Sequence, residues 1–340
     1  MMRCLQLARL GAGAVAPNPM VGAVLVCGNR IIGEGYHEQY GGPHAEVNCL
    51  DSVDRNDRHL AGQSTLYVSL EPCAHYGKTP PCTSLIINTG IPKVVIGCRD
   101  VYREVAGRGI EQLRRAGIDV TEGILADESR ALNRRFFTYH TEFRPYIVLK
   151  WAQSVNGMIG TAGSVTRISH PATDRLVHKW RSEEMAILVG TRTALNDDPS
   201  LTTRLWEGKH PVRIILDRQL RLPRELKVFT DGGDTLVFNS HLQETRGNVR
   251  YIKTASSGML EEMLRVLFER NIHSVLVEGG RATLQSFIDA GWWDEARVIT
   301  NEALALEPGI PAPGLTHFTG TGTQQLGGDV VRYYERKKGA

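Results

Sequence analysis

Four side chains stand out for what they could do together. His44, Cys73 and Cys82 are metal-ligand types, and Glu46 stands two residues beyond the histidine. One imidazole and two thiolates fill three corners of a tetrahedral Zn2+ site and leave the fourth open to water, which is the arrangement of a catalytic zinc and not of a structural one. An open zinc position makes a water nucleophilic near neutral pH, and Glu46 is spaced to take its proton and return it to a departing amine.

Histidine, one residue, then glutamate, with a later Pro-Cys, is the signature of hydrolytic deaminases that act on nucleobase-like rings. Pro72-Cys73 follows directly on the strand pattern of Thr65 to Leu70. The spacing departs from that signature in one respect. Eight residues, Ala74 to Pro81, separate the two cysteines where the signature has two. Tetrahedral geometry tolerates the longer loop, which can itself line a pocket. The alternative is a closed structural site completed by His75 or His37, in which Glu46 would have no part.

Bringing these residues together needs a sheet. Cys4 to Leu10 reads as a short helix ended by Gly11, and Pro17-Asn18-Pro19 as a rigid loop. Val21 to Cys27 and Arg30 to Tyr36 form a hairpin across Gly28-Asn29. His44 to Leu50 is helical, Thr65 to Leu70 a strand, Ser84 to Thr89 a helix, and Lys93 to Cys98 a strand. A helix at Arg108 to Ala116 and a strand at Ile118 to Thr121 follow. This β-β-α-β-α-β-α-β order specifies a three-layer α/β domain.

Near Glu142 to Pro145 the cycle restarts, which places domains at residues 1–142 and 143–340. Tyr146 to Ala152, Val212 to Asp217, Thr235 to Phe238, Ser274 to Glu278, Arg297 to Thr300 and Val330 to Tyr334 read as strands of a second sheet. Helices are expected over Ala172 to Leu188 and Leu260 to Arg270, with another starting near Ala282. No Gly-x-Gly-x-x-Gly fingerprint is present, but Ser274 to Glu278 runs into Gly279-Gly280 and a helix, a turn that lets backbone N–H groups approach a phosphate.

Composition excludes several classes. The 340 residues carry 40 basic and 37 acidic side chains, a near-balance that gives no reason to expect nucleic-acid binding. No apolar run reaches the ~18 residues of a membrane helix. Arg3 and Arg9 before the first acidic residue, Glu34, superficially resemble a targeting peptide, but Gln6 and Arg9 interrupt the apolar segment, and a cytoplasmic protein is expected. The opening helix starts almost on its first apolar residue, so a shortened first turn is expected. The six cysteines all fall in the first hundred residues, and the four outside the zinc motif read as reduced apolar residues.

The motifs resemble one family in detail. Pro17-Asn18-Pro19-Met20-Val21-Gly22, Gly35-Tyr36-His37, Pro43 to Asn48, Leu70 to Cys82 with its Gly77-Lys78-Thr79-Pro80-Pro81, and Val105 to Gly109 are similar to the deaminase half of the bifunctional deaminase-reductases of riboflavin biosynthesis. Lys150 to Gly157, Gly190 to Thr202 and Val277 to Gly280 resemble the reductase half. The resemblance implies a cytidine-deaminase-like three-layer domain followed by a dihydrofolate-reductase-like α/β domain. It also implies Zn2+ and NADPH as cofactors. The implied substrate is 2,5-diamino-6-(ribosylamino)pyrimidinone 5′-phosphate, deaminated to an aminouracil whose ribose is then reduced to a ribityl chain. A homo-oligomer with small-molecule partners, and neither nucleic acid nor membrane, is expected.

That substrate gives roles to further residues. Asn18 can read a ring edge, His75 can contact substrate beside the metal, and Lys78 and Thr79 offer a cation and a hydroxyl to the phosphate. Carried over position by position, Ala152, Thr193, Asp197 and Gly280 face NADPH, while Arg181, Leu201, Arg204 and Glu278 face the reductase substrate. Lys150 and Glu278 are the ionisable candidates for proton handling. Asn156 stands where the family often has Asp, and Ser164 to Ser169 departs from the usual Trp-Ile-Thr, so no contact is carried over to that segment. Two competing readings are a nucleobase deaminase with an inert second domain and a zinc-stabilised binding protein. Gly77-Lys78-Thr79, Lys150 and Glu278 argue against the first, Glu46 against the second.

Overall fold

The computed structural model describes residues 1–75, 80–102, 106–161, 163, 166–255 and 257–337. The chain forms two compact units, Met1–Phe143 and Arg144–Ala340.

In the first unit the strands are β1 (Gly22–Cys27), β2 (Arg30–Tyr36), β3 (Thr65–Leu70), β4 (Lys93–Cys98) and β5 (Asp119–Glu122). They order as β2-β1-β3-β4-β5, antiparallel across β1 and parallel from β3 to β5. Helices α1 (Met2–Ala8), α2 (Ala45–Asp51), α3 (Cys82–Asn88), α4 (Arg108–Arg115), α5 (Ala126–Leu132) and α6 (Arg134–Glu142) accompany them. Ala23, Leu25, Leu66, Val68, Val94 and Ile96, alternate residues of the three central strands, form the core with Cys49 and Ile86 of α2 and α3. Glycine permits the tightest approach. A Cβ on Gly22 would lie 2.1 Å from the carbonyl oxygen of Cys4, so α1 lies on β1 only because that side chain is missing.

The second unit contains β6 (Tyr146–Ser154), β7 (Ala186–Gly190), β8 (Val212–Leu216), β9 (Thr235–Asn239), β10 (Glu244–Arg246), β11 (Val249–Lys253), β12 (Ser274–Val277), β13 (Glu295–Asn301), β14 (Phe318–Leu326) and β15 (Asp329–Arg336). Its helices are α7 (Pro171–Glu183), α8 (Thr191–Asp197), α9 (Lys227–Thr230), α10 (Met259–Glu269) and α11 (Arg281–Asp289). The sheet order is β10-β11-β9-β8-β7-β12-β6-β13-β15-β14. The strands from β11 to β13 run parallel, and the chain leaves the centre in both directions, so the order reverses around β7, β12 and β6. Open parallel sheets bind ligands at the carboxyl ends of strands at such a switch point.

The helix expected over Ala172 to Leu188 is a correction. It ends at Glu183, and Ala186–Gly190 is a fully buried strand. The run Ala-Ile-Leu-Val is apolar on every side: pairing with β8 and β12 covers both edges, and the two faces pack into separate cores, Ala186 and Leu188 in one and Ile187 and Val189 in the other. Helices α5, α6, α8 and α9 and strands β10, β11 and β14 were not foreseen. β14 is Thr-, Gly- and Gln-rich and exposed along nearly its whole length, so it has no apolar alternation to read.

A buried ion pair closes the start of this unit. Both terminal nitrogens of Arg144 donate to Asp294 at 2.7 Å, and Asp294 also accepts the Ile147 N–H at 2.8 Å. Both side chains are 5% exposed, so removing one leaves a charge stranded in a dry site. Asp294→Ala is expected to cost about 3–5 kcal/mol, read as a lower urea midpoint of the second unit.

Candidate zinc and cofactor sites

The zinc residues converge at the ends of three elements. His44 is the N-cap of α2, which puts Glu46 in the buried first turn of that helix. Cys73 follows β3 by three residues, and Cys82 opens α3. The donor atoms of His44, Cys73 and Cys82 all lie within 4.8 Å of one another. His44 Nδ1 is 3.6 Å from the Cys73 sulfur and 3.4 Å from that of Cys82. A tetrahedral zinc with ordinary Zn–S and Zn–N bonds has an S···N edge of about 3.5 Å. The three residues therefore fit the ion.

Electrostatics agree. A hydrogen bond from Cys82 pulls the Cys73 thiol down to about 4 against the opposing effect of burial, and His44 adds to the pull. The same bond and burial push Cys82 up. The pair shares one proton, which a divalent cation displaces. Burial and the Cys73 thiolate raise the Glu46 carboxyl, while His44 lowers it.

No fourth protein donor joins the set among the described residues. His37, one of the alternatives, has both ring nitrogens engaged: Nδ1 meets the Pro43 carbonyl at 2.8 Å, and Nε2 meets the Asn18 amide at 3.0 Å. Its ring stands edge-on to His44, so Asn18 braces the ligand through His37. His75, the other alternative, is half-buried, with Nδ1 unpartnered among the described residues and its ring edge-on to Tyr102. Lys78 and Thr79 lie outside the described residues.

One carboxylate escaped the sequence reading. Glu71, two residues before Cys73, is buried and accepts four backbone N–H groups. Asp100 and Gly107 donate to Oε2 at 3.2 and 3.0 Å, and Gly109 and Ile110 to Oε1 at 3.0 and 3.3 Å. It thus caps α4, ties Asp100 to Gly107 and fixes the chain that carries Cys73. Gly109 is required there, because a Cβ would sit 2.1 Å from the Pro72 carbonyl oxygen. A carboxylate directly before Pro-Cys was the available signal.

In the second unit the expected residues gather at the carboxyl ends of β6, β7 and β12. The register that sets Val277 opposite Leu149 carries on by one residue and brings Glu278 beside Lys150. Lys150 Nζ is 3.7 Å from Glu278 Oε2. Arg181, from α7, grips the same carboxylate with Nε at 2.9 Å and Nη2 at 2.8 Å, a bidentate fork. Burial would raise the Glu278 carboxyl, but Arg181 and then Lys150 outweigh it and hold the group at about 2. The third Arg181 nitrogen donates to the Thr202 carbonyl at 3.2 Å. Leu201 is buried with φ of 54°, a left-handed conformation for a bulky side chain, and it sets the course of the loop that carries Arg204.

The residues expected to face NADPH lie on β6, on α8 and in the turn after β12. Ala152 is half-buried near the end of β6, and Thr193 lies in the first turn of α8 with Asp197 one turn on, exposed. The Gly280 N–H donates to Thr193 Oγ1 at 2.7 Å. On the same pair of turns a Cβ on Gly190 would meet Thr283 Oγ1 at 2.3 Å. The two strand-to-helix turns thus interlock through Gly190 and Gly280.

Comparison with known proteins follows these sites. Residues 1–98 match the cytidine and deoxycytidylate deaminase zinc-binding region, and residues 145–304 match the RibD C-terminal domain. The riboflavin biosynthesis protein RibD of Aquifex aeolicus is 41% identical over 93% of this chain and 88% of its own. That of Bacillus amyloliquefaciens is 39% identical over 96% and 89%. The chain belongs to the RibD family. It is a bifunctional enzyme of riboflavin biosynthesis, with a zinc-dependent deaminase half and an NADPH-dependent reductase half. A solved structure from Thermotoga maritima, described as a diaminohydroxyphosphoribosylaminopyrimidine deaminase/5-amino-6-(5-phosphoribosylamino)uracil reductase, superposes with a TM-score of 0.90 at 38% identity, covering 99% of this chain and 97% of that one. Acinetobacter baumannii RibD gives 0.90 at 30% identity, covering 99% and 98%.

Glu71→Gln replaces one accepting oxygen by an amide that cannot accept, and strands two backbone N–H groups. Zinc loss to a chelator is expected to be at least tenfold faster, with the Co2+-substituted absorption spectrum shifted and NADPH oxidation unaffected.

Proposed function

We propose that the chain deaminates the diaminopyrimidinone ribosyl 5′-phosphate and then reduces the ribose of the resulting 5-amino-6-(5-phosphoribosylamino)uracil. The observation that carries the reading is an open three-donor metal set beside a buried carboxylate, Glu46, that is not needed as a ligand. Zn2+ on His44, Cys73 and Cys82 supplies the Lewis acidity that makes a water nucleophilic. Glu46 takes the proton of the attacking water at its carboxylate and delivers it to the leaving amine. Asn18 holds His37, and through it the His44 ring. His75, whose Nδ1 is unpartnered among the described residues, supports a contact to the pyrimidine, and Lys78 and Thr79 are assigned to the phosphate.

In the reductase half, Ala152, Thr193, Asp197 and Gly280 are assigned to NADPH, which supplies the hydride for C1′. Lys150 orients the ribose oxygens and carries the mobile proton. Glu278, held ionised by Arg181, is read as an anionic anchor for Lys150 and the substrate in place of a proton carrier. Leu201, Arg181 and Arg204 complete the substrate side. The deaminase and reductase domains are assigned to residues 1–142 and 143–340. Six free cysteines support a reducing, cytoplasmic setting. The uncovered nine-residue edge strand β14 supports a homo-oligomer.

Ammonia release and NADPH consumption test the two halves separately. Glu46→Gln is expected to retain zinc and lose ammonia release by about 10²-fold or more, while still oxidising NADPH when given the aminouracil. Near-normal deamination by this variant would remove Glu46 from the mechanism. Lys150→Ala is expected to abolish NADPH oxidation and leave ammonia release intact. A wild-type protein that never consumes NADPH with the aminouracil would overturn the reductase reading.

A further inference from the structure

His178 is a buried histidine that the assignments above leave without a task. It lies on α7 one turn before Arg181 and is 5% exposed. Its Nδ1 accepts the backbone N–H of Arg204 at 2.9 Å, so the proton of the neutral ring sits on Nε2. Among the described residues Nε2 has no hydrogen-bond partner. Burial, reinforced by Arg181 and Arg204, holds the ring at about 4, so it stays neutral at physiological pH.

The neighbours define what this donor can meet. Arg181 is committed, with two nitrogens on Glu278 and the third on the Thr202 carbonyl. Arg204 spends one nitrogen on Thr202 Oγ1 at 2.9 Å, and the rest of its guanidinium makes no bond among the described residues. Two uncommitted donor groups remain, one cationic and exposed, one neutral and buried, tied together by the bond between His178 Nδ1 and the Arg204 backbone. Such a pair matches a phosphate, which takes several hydrogen bonds and at least one opposite charge. A neutral imidazole adds a hydrogen bond without adding a third positive charge beside two guanidiniums.

We infer that His178 donates from Nε2 to the 5′-phosphate of the reductase substrate, alongside Arg204. This rests on the reductase reading given above. His178 is then both a binding residue and the support that aims the Arg204 loop.

Asparagine separates the two tasks, because its Oδ1 can keep accepting the Arg204 N–H while the Nε2 donor is lost. Full-length wild type and His178→Asn are compared by calorimetric binding of the aminouracil phosphate and of its dephosphorylated form, and by steady-state reduction. The expected result for His178→Asn is about tenfold weaker binding and a similarly higher KM for the phosphorylated compound. An unchanged melting temperature, NADPH KM and ammonia release are expected with it, and no change in affinity for the dephosphorylated compound. His178→Gln, whose amide reaches toward the Nε2 position, is expected to recover phosphate affinity while lowering the melting temperature. Equal affinity of wild type and His178→Asn overturns the inference whether or not NADPH is consumed, as does an equal loss for both compounds or a rise confined to the NADPH KM. A wild type that binds the phosphate through His178 but never oxidises NADPH overturns the reductase reading alone.

Discussion

A carboxylate withdrawn from water has to be given hydrogen bonds or positive charge in return, or it takes up a proton. This chain meets that demand in two ways and builds a site on each. Glu71 receives four backbone N–H groups from separate stretches, so the loop after β4 and the start of α4 are held to the segment bearing Cys73. Glu278 receives the fork of Arg181 and the ammonium of Lys150, which joins α7, β12 and β6 at one point. In each half the demand of one buried anion sets where the neighbouring reactive groups stand.

The two halves solve the placement of chemistry by the same device. Parallel strands deliver side chains and helix starts to one end of a sheet. In the first unit β3 leads to Cys73, and helix starts supply His44, Glu46 and Cys82. In the second, β6 supplies Lys150 and Ala152, the start of α8 after β7 supplies Thr193, and the turn after β12 supplies Glu278 and Gly280. Residues far apart in sequence become neighbours because crossover helices return every strand to the same edge.

How much of this was legible depended on whether a residue acts through its own type or through its surroundings. Zinc ligands announce themselves, since His, Cys and Cys at one place have few other uses, and alternating apolar strands of the first unit were readable because only one pattern buries them. Ala186–Gly190 was misassigned to a helix because a run apolar on all sides has no period to distinguish strand from helix. β14 was missed because an exposed edge strand carries no burial pattern. Glu71 and His178 were missed for another reason. Each works through backbone N–H groups that only the folded chain brings near; Glu71 left one trace, its place directly before Pro-Cys, and His178 left none.

The far end of the second sheet bears on where the reductase domain ends. The family match stops at residue 304, yet β15 pairs with β13 along its whole length, and β13 is buried almost throughout. A shortened chain ending at that limit would turn an interior strand into an open apolar margin directly beside β6, which carries Lys150. Its failure would come as sticking and precipitation before any loss of chemistry could be measured. The last hairpin is the selvage of the sheet, and the weave next to the active site holds because of it.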